Sequence, residues 1–208
     1  MVIFMQNRFR SLILATLFAV FLSGCWHVPL SALWRLKQVD LLTIDPAGVR
    51  LAARAPDWLE APPGHAHLLI VGHIGEPDEK EELFDLIERD TPADLRALAG
   101  EAQPGTHFAV FRASAADIAR LRDIQAQARA AKAAGDDRHK GKLLLKAEPC
   151  RRIDPPPGPA RVDLYLSLSE KEDFFKIYDD IDLRDPQLLG DKFETAVPLC
   201  AKTVKRAE

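Results

Sequence analysis

The chain has 208 residues, with 28 Lys and Arg against 31 Asp and Glu, and it is 47% hydrophobic but only 7% aromatic, which bounds it to one domain or two small ones. A net charge of −3 and a pI near 6.1 supply no global attraction to a polyanion, so a nucleic-acid-binding role loses its main electrostatic support. Eleven glycines and short alternating apolar runs exclude collagen-like, coiled-coil and wholly disordered classes.

Residues 1–24 read as an address. Arg8 and Arg10 precede a predominantly apolar run from Leu12 to Leu22, which ends in Ser23, Gly24 and Cys25. A positive flank, a short apolar segment and small residues before a cut site make a secretory signal, whereas about 20 apolar residues are needed to span a bilayer. Leu22-Ser23-Gly24-Cys25 resembles the lipobox of bacterial lipoproteins, in which the cysteine sulfur receives a diacylglyceryl group before cleavage on its amino side. Cys25 is then a lipidated anchor rather than a catalytic thiol. Two ester-linked chains of the palmitate kind, with a third on the new amino terminus, supply the multiple anchors that stable attachment requires. An ordinary secreted protein with a chance cysteine at this place is the alternative. Cleavage removes two arginines and no acids, leaving 26 basic and 31 acidic side chains, so the lipid and not the charge would hold the mature chain at a membrane. Trp26 stands where many lipoproteins kept at the inner membrane carry Asp, which tilts the expectation toward the outer membrane.

Residues 25–38 read as a lipid-anchored tether, with Val28, Leu30, Leu33, Trp34 and Leu36 too irregularly spaced to assign an element; the tether could lie against the domain or the membrane. Residues 39–201 read as a single globular domain and 202–208 as a flexible tail. Asp45-Pro46-Ala47-Gly48 is turn chemistry, and Val49–Arg54 alternates as a strand with Val49, Leu51 and Ala53 against Arg50, Ala52 and Arg54. Pro62-Pro63-Gly64 breaks the chain before a strand from His65 to Ile74. Gly75-Glu76-Pro77-Asp78 is a turn, and Lys80–Glu88 is read as the returning hairpin strand, with a helix as the alternative. Thr91 before Pro92 predicts an N-cap and a helix over 92–101. His107–Arg112 is a short strand. Ser114 then opens the clearest helix, with Ile118, Leu121, Ile124, Ala128 and Ala131 along one side and an end at Gly135. Leu143–Glu148 is a strand, Asp154–Pro159 a rigid connector, and Arg161–Ser169 alternates Val162, Leu164, Leu166 and Leu168 against Arg161, Asp163, Tyr165 and Ser167. The expected fold is α+β: an antiparallel β-sandwich, with an immunoglobulin-like arrangement as one form, carrying an inserted helical segment between Thr91 and Gly135.

Residues 41–52 (Leu-Leu-Thr-Ile-Asp-Pro-Ala-Gly-Val-Arg-Leu-Ala), the helix containing Ile118-Ala119-Arg120-Leu121, and Ile181-Asp182-Leu183-Arg184 resemble a family of uncharacterised Gram-negative bacterial lipoproteins. The resemblance spans nearly the whole mature chain and implies no activity, cofactor or site.

With Cys25 committed to lipid, Cys150 and Cys200 remain, and export would place them where disulfides persist. A structural bridge between them is expected. The alternative, a metal-binding or catalytic thiol, finds no Cys-x-x-Cys and no His at ligand spacing. His65, His67 and His73 share one face of a regular strand, roughly 7 Å apart for an i,i+2 pair, and could share a metal with Glu76 or Asp78; a solvated strand face is the competing reading. Asp179, Asp180, Asp182 and Asp185 could hold a hard cation or could be the charged face of a half-buried strand around Ile181 and Leu183. Arg138, His139, Lys140 and Lys142, following Arg129 and Lys132, suit the negative end of a helix or an anionic partner. Gly-x-Ser-x-Gly, His-Glu-x-x-His and phosphate-binding glycine loops are absent from the sequence. The expectation is therefore a non-catalytic, lipid-anchored envelope protein facing the periplasm, without cofactor or nucleic acid, that binds or scaffolds another envelope component. The alternative is a periplasmic metal-binding or hydrolytic domain built on the histidine strand.

Overall fold

The computed structural model describes residues 28–73, 79–136 and 141–200. In chain order these form helix α1 (Leu30–Lys37), strands β1 (Arg50–Pro56), β2 (Leu59–Glu60), β3 (Ala66–Gly72) and β4 (Lys80–Glu88), helix α2 (Pro92–Leu98), strand β5 (Thr106–Ala113), helix α3 (Ala115–Ala133), strands β6 (Gly141–Ala147), β7 (Cys150–Arg151), β8 (Arg161–Ser167) and β9 (Phe175–Asp182), and helix α4 (Phe193–Ala196). Seven strands join one antiparallel sheet in the order β6-β3-β4-β5-β1-β8-β9, and β2 pairs with β7 in a separate ribbon.

The architecture is α+β and antiparallel, as the turn spacing predicts, but the expected immunoglobulin-like sandwich is replaced by a single strongly curled half-barrel sheet beside a 19-residue helix. The cause lies in β4. Its residues 80–85 pair with β3, and its residues 86–88 pair with β5, so one strand carries the sheet around a corner that two separate sheets would otherwise need. At the handover residue Asp85, the backbone N–H donates to the Asp117 carboxylate (3.0 Å) and the carbonyl accepts from the Ser114 N–H (3.4 Å). The start of α3 thereby satisfies backbone groups at the bend. The curl brings β3 over β5, which is not its neighbour in the sheet: Ala66 packs with Ala109 and Phe111, and Leu51, Ala53, Ala61 and Leu86 close around them.

Local chemistry fixes α2 and α3, the two helices the sequence predicts. Thr91 and Asp94 form a reciprocal capping box with Pro92 in the first turn, and the helix continues through a 3-10 turn over Ala99–Glu101. Ser114 caps α3 by accepting from the Asp117 N–H at 3.0 Å. The helix ends where Gly135 takes φ +73°, with its N–H on the Lys132 carbonyl and the Asp136 N–H on the Ala131 carbonyl. That pattern needs a left-handed residue after the last turn. Leu121 is buried and Ile118, Ile124, Ala128 and Ala131 are half-buried, the stripe predicted from their spacing. Beside it, Gln125 donates to the carbonyls of Leu41 and Ile44, Arg129 to that of Leu42, and Arg122 pairs with Asp45, so α3 holds the segment that leads into β1.

Both outer strands carry charge that discourages further pairing. On β6, Lys142 and Lys146 flank Leu143, Leu144 and Leu145. On β9 the register with β8 shifts around Leu164, and Asp180 adopts φ +57°, a conformation that Asp tolerates better than most residues.

Candidate functional site

The densest chemistry among the described residues is a polar network on one face of β1, β5 and β8. Cross-strand register sets Arg50 opposite Ser167, Ala52 opposite Val110 and Tyr165, and Arg54 opposite Phe108 and Asp163. This face carries the charged and polar residues of the β1 and β8 alternation, which a half-buried strand would turn to solvent. Instead Arg50, Ala52, Arg54, Asp163, Tyr165 and Ser167 are all buried, because α2 and the 3-10 turn after it cover them: Leu98 packs on Ala52, Val110 and Tyr165, with Phe108 and Phe174 at the margin.

Two ion clusters occupy this interface. In the first, Arg50 donates to Asp94 Oδ1 at 2.7 Å and Arg112 to Asp94 Oδ2 at 2.6 Å, while the Thr91 hydroxyl donates to Oδ2 at 2.6 Å. Arg50 also reaches the Ser167 hydroxyl (2.6 Å) and the carbonyls of Ser169 and Glu172 (2.7 Å each), and Phe174 lies against its guanidinium at 4.8 Å. In the second, Arg54 pairs with Asp163 and donates to the Glu101 carbonyl at 2.6 Å, while Asp163 Oδ1 accepts from the Asp180 N–H at 2.6 Å. Tyr165 donates to Glu101 at 3.1 Å, and Lys176 pairs with Asp179 at 2.8 Å and Glu101 at 3.4 Å.

Burial alone would raise the Asp94 carboxyl pKa, but the bonds from Thr91, Arg50 and Arg112 together hold it below its ordinary value. Burial, reinforced by the Asp163 charge, pushes the Tyr165 phenol up to about 12. Burial would favour neutral Lys176, yet the Asp179 bond and the charge of Asp163 keep its ammonium protonated well above the usual range. The carboxylates are occupied by donors and these three groups are held in one charge state at neutral pH. Such an arrangement fastens α2 to the sheet rather than offering an acid or base poised for proton transfer.

The other candidates separate cleanly. Cys150 and Cys200 are joined in a disulfide, with α-carbons 4.9 Å apart. The Arg151 N–H donates to the Pro198 carbonyl and the Cys200 N–H to the Arg151 carbonyl, both at 2.9 Å, so Leu199 makes an isolated parallel bridge to Arg151 of β7. Behind the bridge, Ala55, Leu59, Ala160, Phe193 and Val197 form a small core with Trp58 and Leu183 against it. Glu60 lies 3.8 Å from the Cys150 sulfur, but a sulfur committed to a disulfide offers no thiolate to a metal.

The histidines are not brought together. His67 faces its register partner Asp85 at 3.0 Å on β4, and His65, just before β3, faces Glu148 at 3.2 Å beyond β6. Among the described residues they join no group of three metal-ligating side chains. His73 follows the strand with φ +54°, and Glu76 and Asp78 lie outside the described residues. The acidic run serves β9 and the turns around it: Asp180 pairs with Arg161 (3.0 Å), Asp182 accepts from the Ala160 and Arg184 N–H groups (2.8 and 3.0 Å), and Asp185 from that of Gln187 (2.7 Å). Arg129 and Lys132 face the residue 40–42 segment. Cys25, residues 1–24, Arg138, His139, Lys140 and residues 202–208 lie outside the described residues.

Comparison with protein-family models, curated proteins and solved structures finds no match. The reading of function therefore rests on the chain's own residues.

Proposed function

We propose that the protein is a non-catalytic lipoprotein of the bacterial envelope, tethered by lipid at Cys25 and facing the periplasm, whose domain binds or scaffolds another envelope component. The observation that carries the reading is Leu22-Ser23-Gly24-Cys25 closing a short apolar run behind Arg8 and Arg10. The Cys150–Cys200 bridge supports it, since disulfides persist in exported compartments. Among the described residues no helix is long and apolar enough to cross a membrane. The ion clusters support a binding or scaffolding role because they rigidify a surface domain without leaving a reactive group free. The metal or hydrolase alternative gains no support from His65 and His67, each paired with a different carboxylate. The deciding experiment is mass spectrometry of the mature amino terminus of wild type and Cys25→Ser. Diacylglyceryl on Cys25, with processing lost in the serine variant, is the expected result; an unmodified Cys25 or cleavage elsewhere overturns it. Co-purification from crosslinked envelope then identifies the bound component.

A further inference from the structure

Helix α1 packs on the domain by one side only. Ala32 is buried and the Arg35 guanidinium lies 4.9 Å over the Phe175 ring on β9. At 3.6 residues per turn, Leu30, Leu33 and Trp34 fall within an arc of about 100° on the opposite side, and they are 84%, 50% and 67% exposed. Lys37 lies within the same arc and is also exposed. Leaving three large apolar side chains on one turn in water forgoes burial worth roughly 1.5–3 kcal/mol each. An outward face of Leu and Trp bordered by a lysine is the composition of a helix lying in a membrane interface, with the ring at headgroup depth and the ammonium at the phosphates.

Resting on the lipid-anchor reading, we propose that this face of α1 is seated in the headgroup and upper acyl region of the membrane that holds the lipid on Cys25. The occupant follows from chain length. Leu30 lies five residue steps beyond Cys25, a reach of about 18 Å at most when fully extended, so the helix begins close to the bilayer surface in every conformation. Insertion is then intramolecular, and a contact too weak to recruit the free protein suffices once the lipid has fixed the local concentration. The consequence is orientation: because Arg35 and Ala32 tie α1 to the sheet, seating Leu30, Leu33 and Trp34 fixes which side of the domain faces the membrane.

The test uses the full chain, exported and purified from the envelope, in vesicles of phosphatidylethanolamine and phosphatidylglycerol containing acyl-brominated phosphatidylcholine. In a Trp26→Phe background the expected result is bromine quenching of tryptophan emission that is lost on adding Trp34→Phe, and lost in Leu30→Glu/Leu33→Glu while that protein stays lipidated and vesicle-bound. Quenching unaltered by either change, or absent from lipidated vesicle-bound protein, overturns the proposal. The mass of the amino-terminal peptide separates the two claims: unmodified Cys25 removes the anchor reading itself, whereas modified Cys25 with unquenched Trp34 removes only the seating of α1. Because Leu30, Leu33 and Trp34 are exposed, an unchanged melting temperature verifies that the domain is folded.

Discussion

Replacing Asp94 by Ala should be among the most destabilising single changes in the domain. The carboxylate is fully buried and bonds Arg50, Arg112 and the Thr91 hydroxyl. Its loss leaves Arg50, itself only 6% exposed, with neutral acceptors and no counter-charge. Breaking a buried pair from one side costs about 3–5 kcal/mol, and loss of the capping-box carboxylate from the start of α2 removes a further contribution of about 1 kcal/mol. The pair's net worth is smaller than this cost, because much of the cost is the penalty of the stranded guanidinium. A double change, Arg50→Met with Asp94→Leu, should therefore destabilise less than the two single changes added together. Urea unfolding of the processed, disulfide-intact protein measures all three. The pH dependence has a defined sign. The folded pKa of Asp94 is depressed, so its contribution is complete above the unfolded value near 3.8 and is lost as pH falls through the folded value. Asp94→Asn should flatten that acid limb. A ΔΔG below about 1 kcal/mol for Asp94→Ala, within the ordinary range of surface changes, would refute the network as the fastening of α2.

Reduction of Cys150–Cys200, or its replacement by two alanines, should lower stability by about 4 kcal/mol for a loop of this length in the chain-entropy model. Limited proteolysis should then cut residues 197–200 before β3; a stability unchanged by reduction refutes the bridge as a staple. Leu98→Ala, at a site 1% exposed between Val110 and Tyr165, should cost about 2–5 kcal/mol in the same urea assay, and a loss under 1 kcal/mol would mean that α2 does not cover that face. Alkaline titration followed by phenolate absorbance should show a component still protonated until about pH 12 that disappears in Tyr165→Phe. Since a raised folded pKa opposes ionisation, stability from this group is complete below the unfolded value near 10 and falls as pH rises through 12. His65→Ala/His67→Ala should leave metal content and stability nearly unchanged, because both histidines sit in partly exposed pairs; stoichiometric metal lost in that variant would restore the metal-binding alternative.

Local grammar was legible in the sequence wherever a single residue type enforces a conformation. Thr91-Pro92, Ser114 and Gly135 mark the helix ends where the caps and the left-handed residue are found, and Lys80–Glu88 is the predicted hairpin strand. What alternation could not supply is which face is inside. On β8 the leucines at 164 and 166 are half-buried, while Asp163, Tyr165 and Ser167 are wholly buried. β1 repeats the inversion with Arg50 and Arg54. Strands β1 and β8 are buried or half-buried on both faces through their middles, which leaves no solvent face for the period to report, and the arginines on the polar side are neutralised by distant acids: Asp94 is 44 residues from Arg50 and Asp163 is 109 from Arg54. One signal was available. The Arg-x-Ala-x-Arg pattern of β1 places a small residue between two long ones, which leaves room for another element to approach.

The same reasoning explains why the expected sandwich gave way to one curled sheet. Turn spacing predicts the number and length of strands, and a sandwich or a half-barrel can be built from the same set. The choice is made at Asp85, where β4 passes from β3 to β5, and the stabilising partners at that point come from Ser114 and Asp117, about thirty residues later. Asp117 is held ionised there despite burial, which acts to raise its pKa, by bonds from Ser114, the Asp85 N–H and Arg120. Arg120 in turn covers the fully buried Phe84 ring at 4.4 Å. The corner of the sheet, the cap of the long helix and the packing of a core aromatic are thus one cluster, so a helix start that could be read as purely local also selects the topology of the sheet.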